Sequence, residues 1–168
     1  TMRRIILTLM ALAAMLSAHA MRHFTWGVAA GSGIDVTSHD MSTINIDAFF
    51  GYKGGAIDVA GIGAGIDVNI SNSGRFFPVY AIFRTSFRSA PSICFFDLRG
   101  GVAFNNMPNN HNQTTPYINP GVGFNLARSD KFRSYLIIGY AWNGLKSYDD
   151  TIINHGISYF SARIGISF

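Results

Sequence analysis

The sequence predicts an all-β fold of eight antiparallel strands in up-and-down order, and three observations lead there. Composition is the first. Beyond residue 20 the chain has nine Asp but no Glu, only four Leu, and 14 Phe, 7 Tyr and 2 Trp among 18 Gly. Strong helix formers are scarce and strand formers abundant. The second is punctuation, because turn-forming clusters cut the chain at regular intervals. The third is strict alternation, clearest in the closing YFSARIGISF. Phe160, Ala162, Ile164, Ile166 and Phe168 form one apolar face, and Tyr159, Ser161, Arg163, Gly165 and Ser167 form the other.

Residues 1–20 read as an export signal. Arg3 and Arg4 precede an apolar run of twelve residues, and Ala18-His19-Ala20 fits a small-x-small cleavage site. The run is shorter than the roughly 18 apolar residues that a spanning helix needs. Thr1, ahead of Met2, reads as an addition to the natural start, which leaves 21–168 as the folded domain. Its strands are predicted near 23–36, 43–53, 56–70, 75–87, 92–105, 116–127, 131–144 and 155–168. The second, fourth and sixth connections (Gly54-Gly55, Ser89-Ala90-Pro91, Arg128-Ser129-Asp130) are short, and the others are longer and more polar. An up-and-down barrel gathers the short turns at one end and the long loops at the other, as outer-membrane barrels do. Pro78 and Pro120 fall inside strands, where each removes a ladder donor; bulges there, or different strand limits, would account for them.

Sorting the strands by parity gives two unlike faces. One carries Phe24, Trp26, Ile34, Ile46, Phe50, Ile62, Ile66, Val79, Phe83, Leu98, Phe104, Val122, Leu136, Ile138 and Tyr140, with no charge. The other carries Asp35, Asp47, Lys53, Asp67, Arg84, Asp97, Arg99, Arg133 and Arg163 among many glycines. A soluble barrel would turn the apolar face inward. A membrane barrel turns it to lipid and fills the lumen with the polar face. Aromatics near both strand ends (Trp26, Phe50, Tyr52, Phe87 and Phe132 at the short-turn rim; Phe77, Phe104 and Trp142 at the long-loop rim) suggest two interfacial girdles. The expected fold is therefore an eight-stranded antiparallel up-and-down transmembrane β-barrel.

With these features the chain resembles the small eight-stranded outer-membrane β-barrels of the OmpA/OmpX type over its whole length beyond the signal. The closing YFSARIGISF is similar to their terminal signal. The resemblance implies that Phe160, Ala162, Ile164, Ile166 and Phe168 address the chain to the barrel-assembly machinery. The hairpin GVGFNLARSDKFRSYLIIGY, residues 121–140, is also similar to hairpins of that family. The implied location is the outer membrane of a Gram-negative bacterium, among its lipids.

Function follows from the two faces. Eight strands leave a lumen that side chains fill, so buried charges must pair. Asp47, Arg84, Asp97, Arg99 and Arg163 are expected to form one network, with Arg84 diagonal to Asp97 on neighbouring strands. The bland reading of that network is a plug; the sharper one is an ion path. His39, Asp40, His111, Tyr148, Asp149, Asp150 and His155 map to the long-loop rim. They lack the spacing of a metal site and form no nucleophile–base–acid motif, with Ser158 placed on the lipid face. The glycine stretches GSGIDV and GIGAGIDV precede no helix that could hold a phosphate. Cys94 reads as a small apolar residue. The low net charge, +4 with the signal included, favours no nucleic-acid partner. The expectation is a monomeric, non-enzymatic barrel without cofactor, whose loops 105–114 and 146–154 face an extracellular partner in adhesion, surface defence or envelope integrity. A lipid-modifying enzyme with a rim site and a secreted lipocalin-like carrier are the alternatives.

Overall fold

The computed structural model describes residues 23–71, 73–87, 93–107, 112–129, 131–148, 151–153 and 155–168. The proposed signal, His111, Asp149, Asp150 and most of the Asn-rich loop lie outside them. Seven long strands run in sequence: β1 Phe24–Asp35, β2 Thr43–Gly54, β3 Ile57–Asn69, β4 Arg75–Ser86, β5 Cys94–Asn106, β6 Gln113–Arg128 and β7 Arg133–Asn143. A two-residue hairpin, β8 Ser147–Tyr148 and β9 Thr151–Ile152, precedes the last strand, β10 Ile157–Ser167. The eight long strands close into a barrel ordered β1-β10-β7-β6-β5-β4-β3-β2, each antiparallel to its neighbours. No helix interrupts this order among the described residues. Closure pairs β1 with β10 from Gly27–Ser167 to Asp35–Tyr159 and removes the open edges that a flat sheet would expose.

The faces are set as the alternation dictates. Ile34, Ile46, Ile62, Ile66, Ile138 and Ile164 point outward and are 49–64% exposed, while Arg84 and Arg99 point inward at 0%. The lumen also holds what parity alone did not single out. Phe49, Phe76, Phe95, Ile82 and Ile137 share the inner face with the charges and are buried there. The inward glycines explain how so much volume fits. Gly27 lies opposite Phe49, Gly63 opposite Tyr80, Gly123 opposite Phe95 and Gly165 opposite Tyr135. A methyl group on any of the four would come within 2.0–2.6 Å of its partner's ring. Each glycine is thus a notch that lets one large side chain lie across the wall.

Three expectations need correction. Neither Pro78 nor Pro120 causes a bulge: pairing lapses beside each on one side, and the same register resumes beyond it. The register shifts fall instead at Tyr52/Gly54, Ile57/Val59 and Asn125/Ala127, all at the short-turn end. The second correction concerns loop lengths. The link from Ser86 to Cys94 at the short-turn end outlasts the one from Asn69 to Arg75 at the other end. The seventh connection is long enough to fold back as its own hairpin. Third, Arg84 stands directly opposite Asp97 and not diagonal to it, because the β4–β5 register puts their Cα atoms in one pair.

Candidate functional site

The lumen is the most highly constructed part of the molecule. Arg84 Nε and Nη2 both donate to Asp97 Oδ2, at 2.9 and 2.8 Å. The other oxygen of Asp97 accepts from Arg99 Nε at 2.8 Å. Arg99 Nη1 reaches across to Asp47 Oδ1, also at 2.8 Å, and that oxygen accepts from the Tyr80 hydroxyl at 2.9 Å. Arg163 Nε lies 3.5 Å from Asp47 Oδ2. The five residues of the expected network therefore form one chain of contacts, Arg84–Asp97–Arg99–Asp47–Arg163.

Neighbours complete it. Phe49, Phe95 and Tyr135 surround the Arg84 guanidinium, with ring centres 5.1, 4.7 and 4.3 Å from its carbon. Arg99 lies 5.2 Å from the centre of the Tyr80 ring. Aromatic faces attract a desolvated cation without adding charge. Arg163 Nη2 donates to the Tyr117 hydroxyl at 3.1 Å. Asn119, with its amide oxygen turned to Arg163, accepts from Nη1 at 2.9 Å. Asp67, opposite Asn45 and Phe76, is a further acid on the inner face beside this chain. Pairing matters because one unmatched buried charge would cost several kcal/mol.

Above the charges sits an uncharged ring. Asn105 Nδ2 donates to Thr115 Oγ1 at 2.7 Å, Thr115 Oγ1 donates to Asn143 Oδ1 at 2.5 Å, and Asn143 Nδ2 donates to Asn105 Oδ1 at 2.9 Å. Met41, Met107, Leu145 and Ile153 are buried at this long-loop end. Gln113 fastens the β8–β9 hairpin over it, donating to the Ser147 carbonyl at 3.0 Å and accepting from the Lys146 N–H at 3.1 Å. The three side chains of the ring carry no formal charge, and their only signal in the sequence is Asn and Thr at inward parity.

The rim candidates are not drawn together. His39 is half-buried, beside exposed Asp40 in the loop after β1. That loop is wrapped around Asp35, whose carboxylate accepts from the N–H groups of Thr37, His39 and Met41. His155 is exposed, and its carbonyl accepts from Trp142 Nε1 at 2.9 Å. Tyr148 lies on β8. Ser158 keeps the outward parity expected of it, opposite Trp142 and two residues from exposed Phe160, and is itself buried to 6% exposure. No group of three metal-ligating side chains occurs among the described residues. Cys94 is half-buried on the outer face.

Comparison with known proteins bears on the fold. Neither a protein-family model nor a curated protein sequence matches the chain. Among solved structures, the chain is similar to one described as a de novo design of transmembrane β-barrels, at 17% identity and a TM-score of 0.52, over 86% of this chain and 93% of that one. A second de novo designed barrel, solved by solution NMR, aligns at 18% identity and a TM-score of 0.48, over 87% and 94%. At such identity the first likeness speaks for architecture alone: a closed, eight-stranded antiparallel barrel.

Proposed function

We propose that this chain is a non-enzymatic, monomeric β-barrel of the outer membrane of a Gram-negative bacterium, with a lumen plugged by side chains and loops that carry recognition, adhesion or envelope integrity. One observation carries the reading: the polarity of the barrel is inside out. Isoleucine, valine and phenylalanine form its outer belt, and paired arginines form its centre. Folding in water would bury none of that belt. It would forgo the main driving force, about 25 cal/mol for each Å² of apolar surface. Against acyl chains the belt is at home, and closure satisfies every strand's backbone without water. A lipocalin-like carrier requires the opposite assignment of faces.

The girdles support the same reading. At the short-turn rim Trp26 stacks on Phe168 with ring centres 4.7 Å apart, and Phe24 lies 6.2 Å from Phe50. At the other rim Trp142 directs its N–H to a loop carbonyl, the wet-end, greasy-body arrangement of interfacial aromatics. Residues 1–20 supply the export signal in this reading, and Phe168 with its alternating neighbours supplies the address read by the barrel-assembly machinery.

Fractionation of cells expressing the full chain tests the proposal. The protein should pellet with the outer membrane, require detergent for extraction, and migrate differently on gels before and after boiling. Recovery of a detergent-free soluble form would overturn it. Planar-bilayer recording tests the plug: no steady conductance is expected, and a stable open level would refute a filled lumen.

A further inference from the structure

The two ends of the lumen are not alike, and the short-turn end is hollow. A cavity of about 420 Å³ opens there. Its charged lining is Lys53, Asp58, Arg84, Arg128, Lys131 and Arg133. Arg84, fully buried, is held by Asp97, and Arg133 by Asp58 at 3.0 Å. Lys53, Arg128 and Lys131 have no ion-pair partner among the described residues. They come from different sides of the mouth. Lys53 ends β2, whereas Arg128 and Lys131 flank the β6–β7 turn, and β1 and β10 separate β2 from β7 around the wall.

Cations at a membrane rim are ordinarily explained by snorkelling toward lipid headgroups on the outer surface. Here the outer surface at this level is aromatic, with Phe24, Trp26, Tyr52 and Phe168 exposed, and the cations line the inner cavity. Three like charges facing a shared cavity repel one another unless an anion joins them. A carboxylate would neutralise only one of the three charges. A phosphate monoester, carrying about −1.5 to −2 at neutral pH, neutralises more of them and presents three acceptor oxygens. Arginine forks and lysine point charges are the side chains that take such oxygens.

We propose that the short-turn mouth is a binding site for a phosphate-bearing anion, held between Lys53 on one side and Arg128 and Lys131 on the other. The site is independent of what the opposite loops recognise. The phosphate has two sources, a soluble phosphate compound or a lipid headgroup, and the test separates them. The folded chain is placed in maltoside micelles, which contain no phosphate, and its amide resonances are followed by NMR at constant ionic strength. One titration uses inorganic phosphate and the other phosphatidic acid doped into the micelles. Saturable shifts are expected at Lys53–Gly55 and Arg128–Arg133. K53Q/R128Q/K131Q should weaken binding about tenfold or more, and K53R/R128K/K131R should retain it. Unchanged shifts at Asp47 and Arg99 report that the variants are folded, and K53Q alone, with a smaller loss, serves if the triple variant does not fold. Saturation by phosphate assigns a soluble ligand, and saturation by the lipid alone assigns a headgroup. No saturable shift with either, the same shifts with chloride, or wild-type affinity in the glutamine variants would overturn the proposal.

Discussion

The long-loop mouth and the short-turn mouth of this barrel are built from the same strands, yet they satisfy their polar groups in opposite ways. At the long-loop mouth Asn105, Thr115 and Asn143 close a ring on themselves, and Met107, Leu145 and Ile153 shut it from above. At the short-turn mouth the cavity is lined by Lys53, Arg128 and Lys131, which have no ion-pair partner among the described residues. The difference shows what separates them. The fully buried Arg84–Asp97–Arg99 segment meets the cavity through Arg84, and the contrast predicts a dry lumen beyond that segment and a wet cavity on its near side. Substitutions on either side of that floor should therefore differ in cost even where the chemistry removed is similar.

The floor itself should give the largest effect. Asp97 is the shared acceptor of two fully buried arginines, so D97A leaves both partly uncompensated in a water-poor lumen. Removing one partner of a buried pair costs about 3–5 kcal/mol. Urea unfolding of the barrel in detergent or bilayers measures it. D97A should also admit water to the closed half and produce flickering conductance where the parent shows none. A loss below about 1 kcal/mol, the scale of an exposed ion pair, would mean that the floor is already hydrated and the contrast between the mouths is false.

A smaller effect is expected one layer out, where Gly123 lets the Phe95 ring lie across the wall beneath Arg84. A methyl at Gly123 would fall 2.0 Å from the ring, whereas Gly100 on the outer face has nothing within 4 Å. G123A should destabilise by about 1–3 kcal/mol, the range for overpacking, and G100A should be close to neutral. Similar unfolding midpoints for the two would show that the glycines are not notches.

That pair also marks how far the sequence was legible. Alternation placed the charges inward and the isoleucines outward, because a period of two allows only two assignments and one of them would set six or more charges in lipid. The identity of the network followed, since four inward acids and four inward arginines leave few ways to balance. The glycine notches were visible only as inward glycines, because which ring crosses which glycine depends on strand register, and register was estimated from turns whose exact lengths were wrong. Arg84 and Asp97 were placed one step off for that reason. Proline announces a missing donor, yet a ladder tolerates one by leaving a bond unmade, so Pro78 and Pro120 required neither a bulge nor a strand end. The vestibule was invisible for a different reason. Lys53 and Lys131 are far apart in sequence, and only closure of β1 on β10 sets them around one opening.

The smallest effects set the two mouths directly against each other. T115V at the closed mouth keeps the shape but removes one hydroxyl, leaving the Asn105 amide without its acceptor and Asn143 without its donor. With no water to replace them, the cost should be about 1–3 kcal/mol. D58N at the open mouth removes the charge of an ion pair with Arg133, both partners being 15% exposed. Ser86, which also contacts Asp58, stays in place to hold the amide. Beside a wet cavity such a pair is worth about 0–1 kcal/mol, less at high salt. On charge alone the ranking would be reversed, since an ion pair is nominally stronger than a hydroxyl bond. Paired unfolding curves at low and high salt decide it: D58N should lose its small penalty as salt rises, and T115V should keep its larger one. If D58N proves the costlier of the two at every salt concentration, the short-turn mouth is as dry as the other, and the distinction between a sealed end and an open end does not hold.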